Sequence, residues 1–292
     1  MNQLPILNIK EFKNHNPDAT FYANYFIPHL KLNHLSITGP HKHDFYLTVL
    51  FTKGSGTHEI DFSSYPIKSG SVFLLNPGQT HNWELSDDID GYVFFHSKSF
   101  YDMAFNGRTV NSFPFFYSTQ NSPCIYLGGI NIDKMETLFK SVVEEYQVFS
   151  LLKRQKITSL IDIIYIELSR FCVDESISDN KKTNSYSIKF RELEQLIEKK
   201  YQTEKSPQYY ASELNISPKH LNRITKEMVG KTTTDLIIER VLLEAKRMLI
   251  HAKQSFTEIA DELGYEDYSY FSRIFKNKTG ENPSLFQARY VK

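Results

Sequence analysis

Two groups of basic and polar side chains near the C-terminus have the composition and spacing of a surface that reads DNA. Arg223 and Lys226 stand three residues apart, and Arg273 and Lys276 repeat them 50 positions later. Arginine can pair bidentately with guanine, and lysine mainly supplies affinity for phosphate. The residues that we predict to contact double-stranded DNA are Lys219, Asn222, Arg223, Lys226, Tyr268, Ser269, Ser272, Arg273 and Lys276.

Three histidines in the N-terminal half form a second group with chemical potential. His41, His43 and His81 could hold zinc or another divalent ion and leave coordination positions open. The alternative, which we prefer, is that they hydrogen bond within a metal-free pocket. We find no other convincing catalytic grouping, so we expect no enzymatic activity and no cofactor.

The residues around the two basic groups repeat as well. Ile224 recurs 50 positions later as Ile274, whereas Ala211 upstream recurs after 49 positions as Ala260, so the second copy has one extra turn residue. Apolar residues at helical spacing face inward in each copy, which leaves the basic residues outward. A short helix, a tight turn and a longer helix form the motif that places one helix in a DNA major groove.

Capping residues predict the helix ends in this region. Ser206 and Ser217 each precede a proline, and Ser255 with Glu258 fits a capping box. The predicted helices lie at about 188–201, 207–214, 218–229, 234–251, 255–263, 268–278 and 283–289. The fourth helix would be roughly 26 Å long, which would let one monomer read two major-groove boxes one turn apart.

Many residues over about 186–290 also fit a known pattern. They are Ile259-Ala260, Leu263-Gly264-Tyr265, Asp267, Ser269-Tyr270-Phe271-Ser272-Arg273, Phe275-Lys276, Gly280 and Pro283, with Ala211, Leu214, Ile216-Ser217, Leu221, Arg223, Gly230, Arg240, Ala245 and Leu249 upstream. This region resembles the DNA-binding domain of the AraC family of bacterial transcription regulators. Thr225 stands where the family usually has Phe, and Gln287 where Arg is common. The resemblance implies a transcription regulator, which contacts RNA polymerase if it is an activator.

Composition suggests two domains. The whole chain has no net charge, but residues 186–292 hold 18 Lys and Arg against 15 Asp and Glu. Residues 174–187 are polar, as expected of an exposed linker. We therefore predict a ligand-sensing and dimerisation domain at 1–173, a linker at 174–187 and a DNA-binding domain at 188–292. Without a signal segment or an apolar run of about 18 residues, we expect a cytoplasmic protein with no membrane contact.

The N-terminal half contains short apolar runs separated by turn residues. We predict strands at 45–51, 56–62, 71–75 and 92–95, in a β-barrel or jelly roll. From about residue 131 the pattern becomes helical, with one apolar stripe from Ile132 to Tyr146 and another from Ile157 to Phe171. We predict that the second stripe pairs across a two-fold axis to form a homodimer. The alternative is that it packs on its own barrel.

Motif residues in this half are Gly39, His41, His43, Gly54, Gly70, Pro77-Gly78 and His81. They resemble a cupin of the kind that serves as the AraC-type ligand-binding domain. The resemblance implies a multidomain fold, with a cupin-like β-barrel and two following helices, then an all-α domain with two helix-turn-helix motifs. In metal-binding cupins a glutamate completes the ligand set, but Leu47 and Thr48 occupy that region here.

Two aromatic residues follow the second cupin motif. Trp83 lies two residues after His81, and Tyr92 lies on a following strand. Their counterparts in sugar-binding members of the family help to form the effector site. The resemblance therefore implies an effector site of His43, His81, Trp83 and Tyr92, suited to a polar ring such as a sugar. The alternative is that the two aromatic residues belong to the barrel core.

These observations favour a DNA-binding transcription regulator controlled by a small-molecule effector. Two other functions remain open. The chain could be a metal-dependent cupin enzyme that its C-terminal domain tethers to DNA, which bound metal together with turnover would indicate. It could also be a DNA-binding protein whose barrel serves only dimerisation, which an effector screen would distinguish.

Overall fold

The chain forms two compact units, one within residues 4–174 and one within residues 175–292. The computed structural model describes residues 5–12, 20–37, 39–105, 109–117, 121–172, 181–251 and 254–290. Over these residues, the N-terminal unit contains strands and helices and the C-terminal unit contains helices. This order agrees with the multidomain fold class predicted from the sequence.

The N-terminal unit is built from three sheets and five α-helices in its described part. Its strands are β1 (Ile6–Leu7), β2 (Phe21–Tyr25), β3 (Lys42–His43), β4 (Tyr46–Lys53), β5 (Gly56–Ile60), β6 (Ser63–Ile67), β7 (Ser71–Leu75), β8 (His81–Leu85), β9 (Asp90–His96) and β10 (Cys124–Tyr126). Its helices are α1 (Phe26–Ile37), α2 (Lys98–Asp102), α3 (Pro114–Tyr117), α4 (Ile130–Gln147) and α5 (Lys153–Cys172). One sheet has the strand order β10-β7-β4-β9-β2 and the other β6-β5-β8, while β1 pairs with β3.

Both faces of the five-stranded sheet are covered, so its strands are apolar on both sides. In β4, Val49 and Phe51 join the core shared with the three-stranded sheet, whereas Tyr46 and Leu50 join the core shared with α4 and α5. Successive side chains of a strand point to opposite faces, which produces this division. The two facing sheets confirm the predicted cupin-like architecture.

The apolar stripe of α5 lies in the core of its own unit. Ile157, Ile161, Ile164 and Leu168 are at most 2% exposed and pack with the outer face of the five-stranded sheet. For these four residues the alternative of packing on the barrel is confirmed. Leu160 is only partly buried and Phe171 is 43% exposed, so pairing across a two-fold axis stays a prediction for this part of the stripe. The sequence could not distinguish the two, because helical spacing identifies an apolar face but not its partner.

The C-terminal unit contains seven helices in its described residues. They are α6 (Lys181–Lys200), α7 (Pro207–Glu213), α8 (Pro218–Val229), α9 (Thr233–His251), α10 (Phe256–Glu262), α11 (Tyr268–Thr279) and α12 (Pro283–Tyr290). Six of them lie close to their predicted bounds. The helix α6, however, begins seven residues before its predicted start, so residues 181–187 of the predicted linker are helical. Residues 173–180 lie outside the described residues.

The two helix-turn-helix motifs have the same turn geometry with one residue of difference. Residues 214–217 join α7 to α8, and residues 263–267 join α10 to α11. Asn215 has a φ of +54° and Gly264, its counterpart 49 positions later, has a φ of +76°. The backbone hydrogen bonds also correspond, with Ile216 N donating to Ala211 O at 3.0 Å and Tyr265 N donating to Ala260 O at 2.9 Å. The extra turn residue predicted from the sequence repeat is confirmed.

Local capping accounts for most of the helix starts. The Ser217 hydroxyl accepts a hydrogen bond from the backbone N–H of His220, and Ser255 and Glu258 form the predicted capping box. Ser206 differs from the prediction, since its hydroxyl donates to the Gln208 side chain and does not cap α7.

The helix α9 joins the two motifs and is fixed by polar contacts along its length. Its 19 residues span about 28 Å. Arg240 is buried, donates to the carboxylate of Glu198 on α6 at 2.6 Å, and stacks at 3.9 Å over the ring of Tyr201. Gln287 on α12 donates to Leu249 O at 2.6 Å. These contacts make α9 a rigid connection between the motifs.

Candidate DNA interface and sensing pocket

The predicted basic residues of α8 lie on its exposed side. Lys219, Arg223 and Lys226 are exposed, while Leu221 and Ile224 are fully buried on the opposite side of the same helix. Arg223 is held in place, because its Nη2 donates to Nδ1 of His220 at 2.6 Å. This surface can present one guanidinium and two ammonium groups to an anionic partner.

The helix α11 presents a matching surface. Ser269, Arg273 and Lys276 are exposed, and Phe271 and Phe275 are fully buried. Ser272 and Tyr268 are half-buried, and the Tyr268 ring stacks on Phe256 with the centroids 6.0 Å apart. Three of the five predicted residues of α11 are therefore exposed.

Asn222 has a structural role that the sequence did not reveal. Its Oδ1 accepts a hydrogen bond at 3.1 Å from the backbone N–H of Thr233, the first residue of α9. This contact satisfies one of the backbone donors that a helix start leaves free. Thr225, which stands where the resembling family has Phe, is buried and donates to Asn222 O at 3.1 Å. Asn222 thus fixes the junction of α8 and α9.

In the N-terminal unit the predicted histidines come together. The ring centroid of His81 lies 4.3 Å from that of His41 and 5.0 Å from that of His43. The backbones of His41 and His81 also exchange two hydrogen bonds, of 3.1 and 2.9 Å. A fourth histidine, His58 of β5, places its Nε2 2.9 Å from Nδ1 of His81. All four side chains are at most 3% exposed.

Burial keeps these imidazoles neutral. Desolvation lowers the pKa of His43 and of His58 to about 3, and it lowers the pKa of His81 well below its usual range. Nδ1 of His43 lies 2.8 Å from the carbonyl of Phe45, so Nδ1 carries the proton and Nε2 is an acceptor. Three buried ring nitrogens, His43 Nε2, His58 Nδ1 and His81 Nε2, lack a hydrogen-bond partner.

The cluster does not fit a bound metal in this arrangement. His81 Nδ1 is engaged by His58. Within the described part of the chain, no three His, Cys, Asp or Glu side chains form a group that could hold a metal ion. Leu47 and Thr48, in the region where metal-binding cupins carry a glutamate, are also buried in the two cores. The hydrogen bond between the two neutral rings of His58 and His81 uses the N–H of one ring and the bare nitrogen of the other. Their two outer nitrogens are therefore one acceptor and one donor, and Nε2 of His43 is a second acceptor.

Trp83 and Tyr92 lie on different sides of the fold. The Trp83 ring contacts His58 and His81, with centroid distances of 5.0 and 5.2 Å. Tyr92 pairs with Leu50 on the helix-covered face of the five-stranded sheet, and its hydroxyl donates to Glu136 of α4 at 3.1 Å. The structure thus groups three of the four predicted effector residues and separates Tyr92 from them.

Sequence reasoning missed His58 because its role depends on strand pairing. His58 is the direct partner of Trp83 in the antiparallel register of β5 and β8. Side chains opposite each other in such a pair lie on the same face of the sheet. A strand at 56–62, which includes β5, was predicted from the sequence, but its partner strand β8 was not.

Family models match both units of the chain. A model described as an AraC-like ligand binding domain matches residues 30–115, and a model described as a helix-turn-helix domain matches residues 210–289. Together they span more than half of the residues. In addition, none of the helices in the described part of the chain has the length and apolar character needed to cross a membrane.

Proteins matched over most of their length are regulators. The chain is 21% identical to the uncharacterized HTH-type transcriptional regulator YfiF of Bacillus subtilis, over 94% of this chain and 85% of that protein. It is 22% identical to the HTH-type transcriptional activator RhaR of Escherichia coli, over 85% of this chain and 86% of that protein. The chain is 16% identical to Vibrio cholerae ToxT in a structure with unsaturated fatty acid bound, and the match covers 96% of this chain and 98% of that one. The TM-score is 0.40, so this likeness says nothing about the ligand of this chain. With its AraC-like ligand binding domain, its helix-turn-helix domain and these relatives, the chain belongs to the AraC family of transcription regulators.

Proposed function

We propose that the chain regulates transcription by inserting α8 and α11 into the major groove, with Arg223 and Arg273 contacting bases. The observation that carries this proposal is the repetition of an exposed arginine and lysine, three residues apart, on two helices with the same turn geometry. The exposed Lys219, Lys226 and Lys276 would contact phosphates. A regulator of this kind acts in the cytoplasm, where it reaches DNA, and it contacts RNA polymerase if it is an activator.

One monomer would read two boxes. The helix α9 is rigid and spans about 28 Å, close to the roughly 34 Å that separates major-groove segments on one face of DNA. Footprinting of the full chain on duplexes selected from a random pool should protect two short boxes about one helical turn apart. A single short box for each monomer would contradict this geometry.

Substitutions distinguish base contacts from phosphate contacts. Arg223→Ala and Arg273→Ala should each weaken binding to a selected duplex by about 1–3 kcal/mol and relax the preference at particular bases. Lys226→Ala and Lys276→Ala should weaken binding to selected and random duplexes alike. They should also reduce the dependence of the binding constant on salt concentration. Lys140→Ala, which removes an exposed charge from α4, is the matched control and should leave binding unchanged. If the arginine variants lose the same affinity for every duplex, Arg223 and Arg273 contact phosphates and not bases.

The N-terminal unit would bind a small uncharged effector at His43, His81 and Trp83. Support comes from the neutral imidazoles, which offer hydrogen bonds without charge, and from the adjacent Trp83 ring. Hydroxyl groups on a polar ring, as in a sugar, would satisfy the orphaned nitrogens. The four histidines are only 0–3% exposed, so the residues that cover them must move apart to admit such a molecule.

A sugar panel tested by thermal shift and by Trp83 fluorescence addresses this proposal. A sugar that binds should raise the midpoint temperature of thermal unfolding. It should also change the fluorescence emission of Trp83, the one tryptophan of the chain. His43→Ala should abolish both effects, and Tyr92→Phe, on the opposite face, should retain them. Stabilisation that survives His43→Ala would move the site elsewhere. Stoichiometric metal together with turnover would instead favour the cupin enzyme.

We propose that the chain forms a homodimer through the part of the predicted stripe, with the adjacent Ile163, that its own unit leaves exposed. On α5, Ile163 and Phe171 are 45% and 43% exposed, and Leu160 on the same side of the helix is partly buried. Residues at 160, 163, 167 and 171 form one narrow face at helical spacing. A helix-to-helix contact between two copies of the chain would cover this face.

A further inference from the structure

In both motifs the exposed arginine lies against the residue three positions earlier. Arg223 Nη2 is 2.6 Å from Nδ1 of His220, and the guanidinium of Arg273 lies over the ring of Tyr270 at 5.4 Å. His220 and Tyr270 are themselves 50 positions apart and therefore correspond in the repeat. Two different side chains thus support the same arginine position.

Each supporting residue is in turn held by a buried tyrosine. The His220 ring meets Tyr186 of α6 edge to face, with the centroids 5.6 Å apart and the planes at 85°. The Tyr270 ring lies 6.1 Å from that of Tyr265. Tyr186 and Tyr265 are 5% and 7% exposed, so both are anchored in the helical core. A chain of two rings therefore connects the core to each arginine.

The two supports differ in chemistry. Arginine has donors only, so the Nδ1 atom of His220 accepts and the imidazole carries its proton on Nε2. Tyr270 instead offers the face of its ring, to which a guanidinium is attracted by the ring quadrupole. The contact from His220 therefore requires an acceptor atom, although the Arg223 guanidinium also lies 5.9 Å from the Tyr186 ring centroid, and the contact from Tyr270 requires an aromatic face.

We propose that His220 and Tyr270 are positioning residues that hold Arg223 and Arg273 in the direction needed to read bases. A free arginine side chain loses rotamer freedom when it forms a bidentate contact, and support in the unbound protein reduces that loss. This inference rests on the proposed function, since it requires that the two arginines contact DNA. It adds two residues that would determine specificity through the arginines that they position.

Crossed substitutions separate the two supports. His220→Asn keeps an acceptor near the position of Nδ1 and His220→Phe keeps only a ring, whereas Tyr270→Phe keeps the ring and Tyr270→Asn removes it. On a duplex that the wild-type chain selects from a random pool, His220→Phe and Tyr270→Asn should bind about tenfold more weakly, an effect expected from the lost preorganisation. His220→Asn and Tyr270→Phe should bind within about twofold of wild type, and all four should bind random-sequence DNA as the wild type does.

A double-mutant cycle in the full chain completes the test. In an Arg223→Ala background, His220→Phe should have no further effect, because the group that it positions is gone. Additive losses, or equal losses on selected and random DNA, would overturn the positioning role. If Arg223→Ala and Arg273→Ala lose affinity but His220→Phe and Tyr270→Asn do not, only this inference fails. If the arginine variants bind like the wild type, the proposed DNA contacts fail with it.

Discussion

Mild acid should unfold the N-terminal unit, because that unit buries histidines as neutral imidazoles. Desolvation lowers the pKa of His29, His43 and His58 to about 3 and that of His96 to about 4. His81 has its pKa lowered in the same direction. In the unfolded chain each of these groups titrates near the ordinary value of about 6.5.

The sign and size of the effect follow from linkage. Below pH 6.5 the unfolded state binds protons that the folded state cannot, so stability present above pH 6.5 is lost progressively as the pH falls towards 4. At pH 5.5, one unit below the ordinary value, each such histidine lowers the free energy of unfolding by about 1.4 kcal/mol. The four histidines with pKa values of about 3 or 4 together amount to about 6 kcal/mol, within the range of about 5–15 kcal/mol that stabilises a whole domain.

Trp83 provides the assay, since it is the one tryptophan and contacts His58 and His81. Urea unfolding of the full chain, followed by Trp83 fluorescence, should give a midpoint that drops steeply between pH 7.5 and 5.5 and is constant between pH 8.5 and 7.5. Removal of one of these five titrating groups, as in His96→Gln, should reduce the drop by about a fifth if the variant folds. A wild-type midpoint that is equal at pH 7.5 and 5.5 would refute the reasoning.

Three further predictions concern ion pairing, backbone conformation and association. The Lys278 ammonium, 2.6 Å away, lowers the pKa of Asp235 to about 2. Because the pair is partly exposed, Asp235→Asn should lower the free energy of unfolding by less than about 1 kcal/mol at pH 7. In calorimetry this difference from the wild type should disappear as the pH falls from 4 to 2. Gly264→Ala should lower the free energy of unfolding, measured by urea titration with circular dichroism, by more than about 1 kcal/mol, because φ is +76° and the added Cβ would lie 1.9 Å from a carbonyl oxygen; an unchanged free energy of unfolding would contradict this. In sedimentation, Ile163→Glu should convert a dimer to a folded monomer, while Ile164→Glu, at a fully buried position, should unfold the unit; a dimer that survives Ile163→Glu excludes this face.

The sequence determined the C-terminal unit almost completely, because its structure is specified locally. Capping residues such as Ser217 and Ser255, and the offset of 49 or 50 positions between the motifs, located the helices and the extra turn residue within a few positions. Helical spacing also identified the exposed side of α8 and α11. The roles of Asn222 and His220 were not visible, because their partners Thr233 and Tyr186 belong to other helices.

The N-terminal unit was predicted in outline, and its site only in part. Strands β4, β5, β7 and β9 were anticipated from apolar runs, as was the cupin-like class, but β6 and β8 carry too few apolar residues to be recognised. Tertiary structure alone decided that His58 joins His81, that Tyr92 faces α4, and that most of the stripe of α5 is buried. Each of these depends on which strand pairs with which and on which face a partner covers. Such contacts join residues far apart in the chain, whereas sequence periodicity reports only the local repeat of an element.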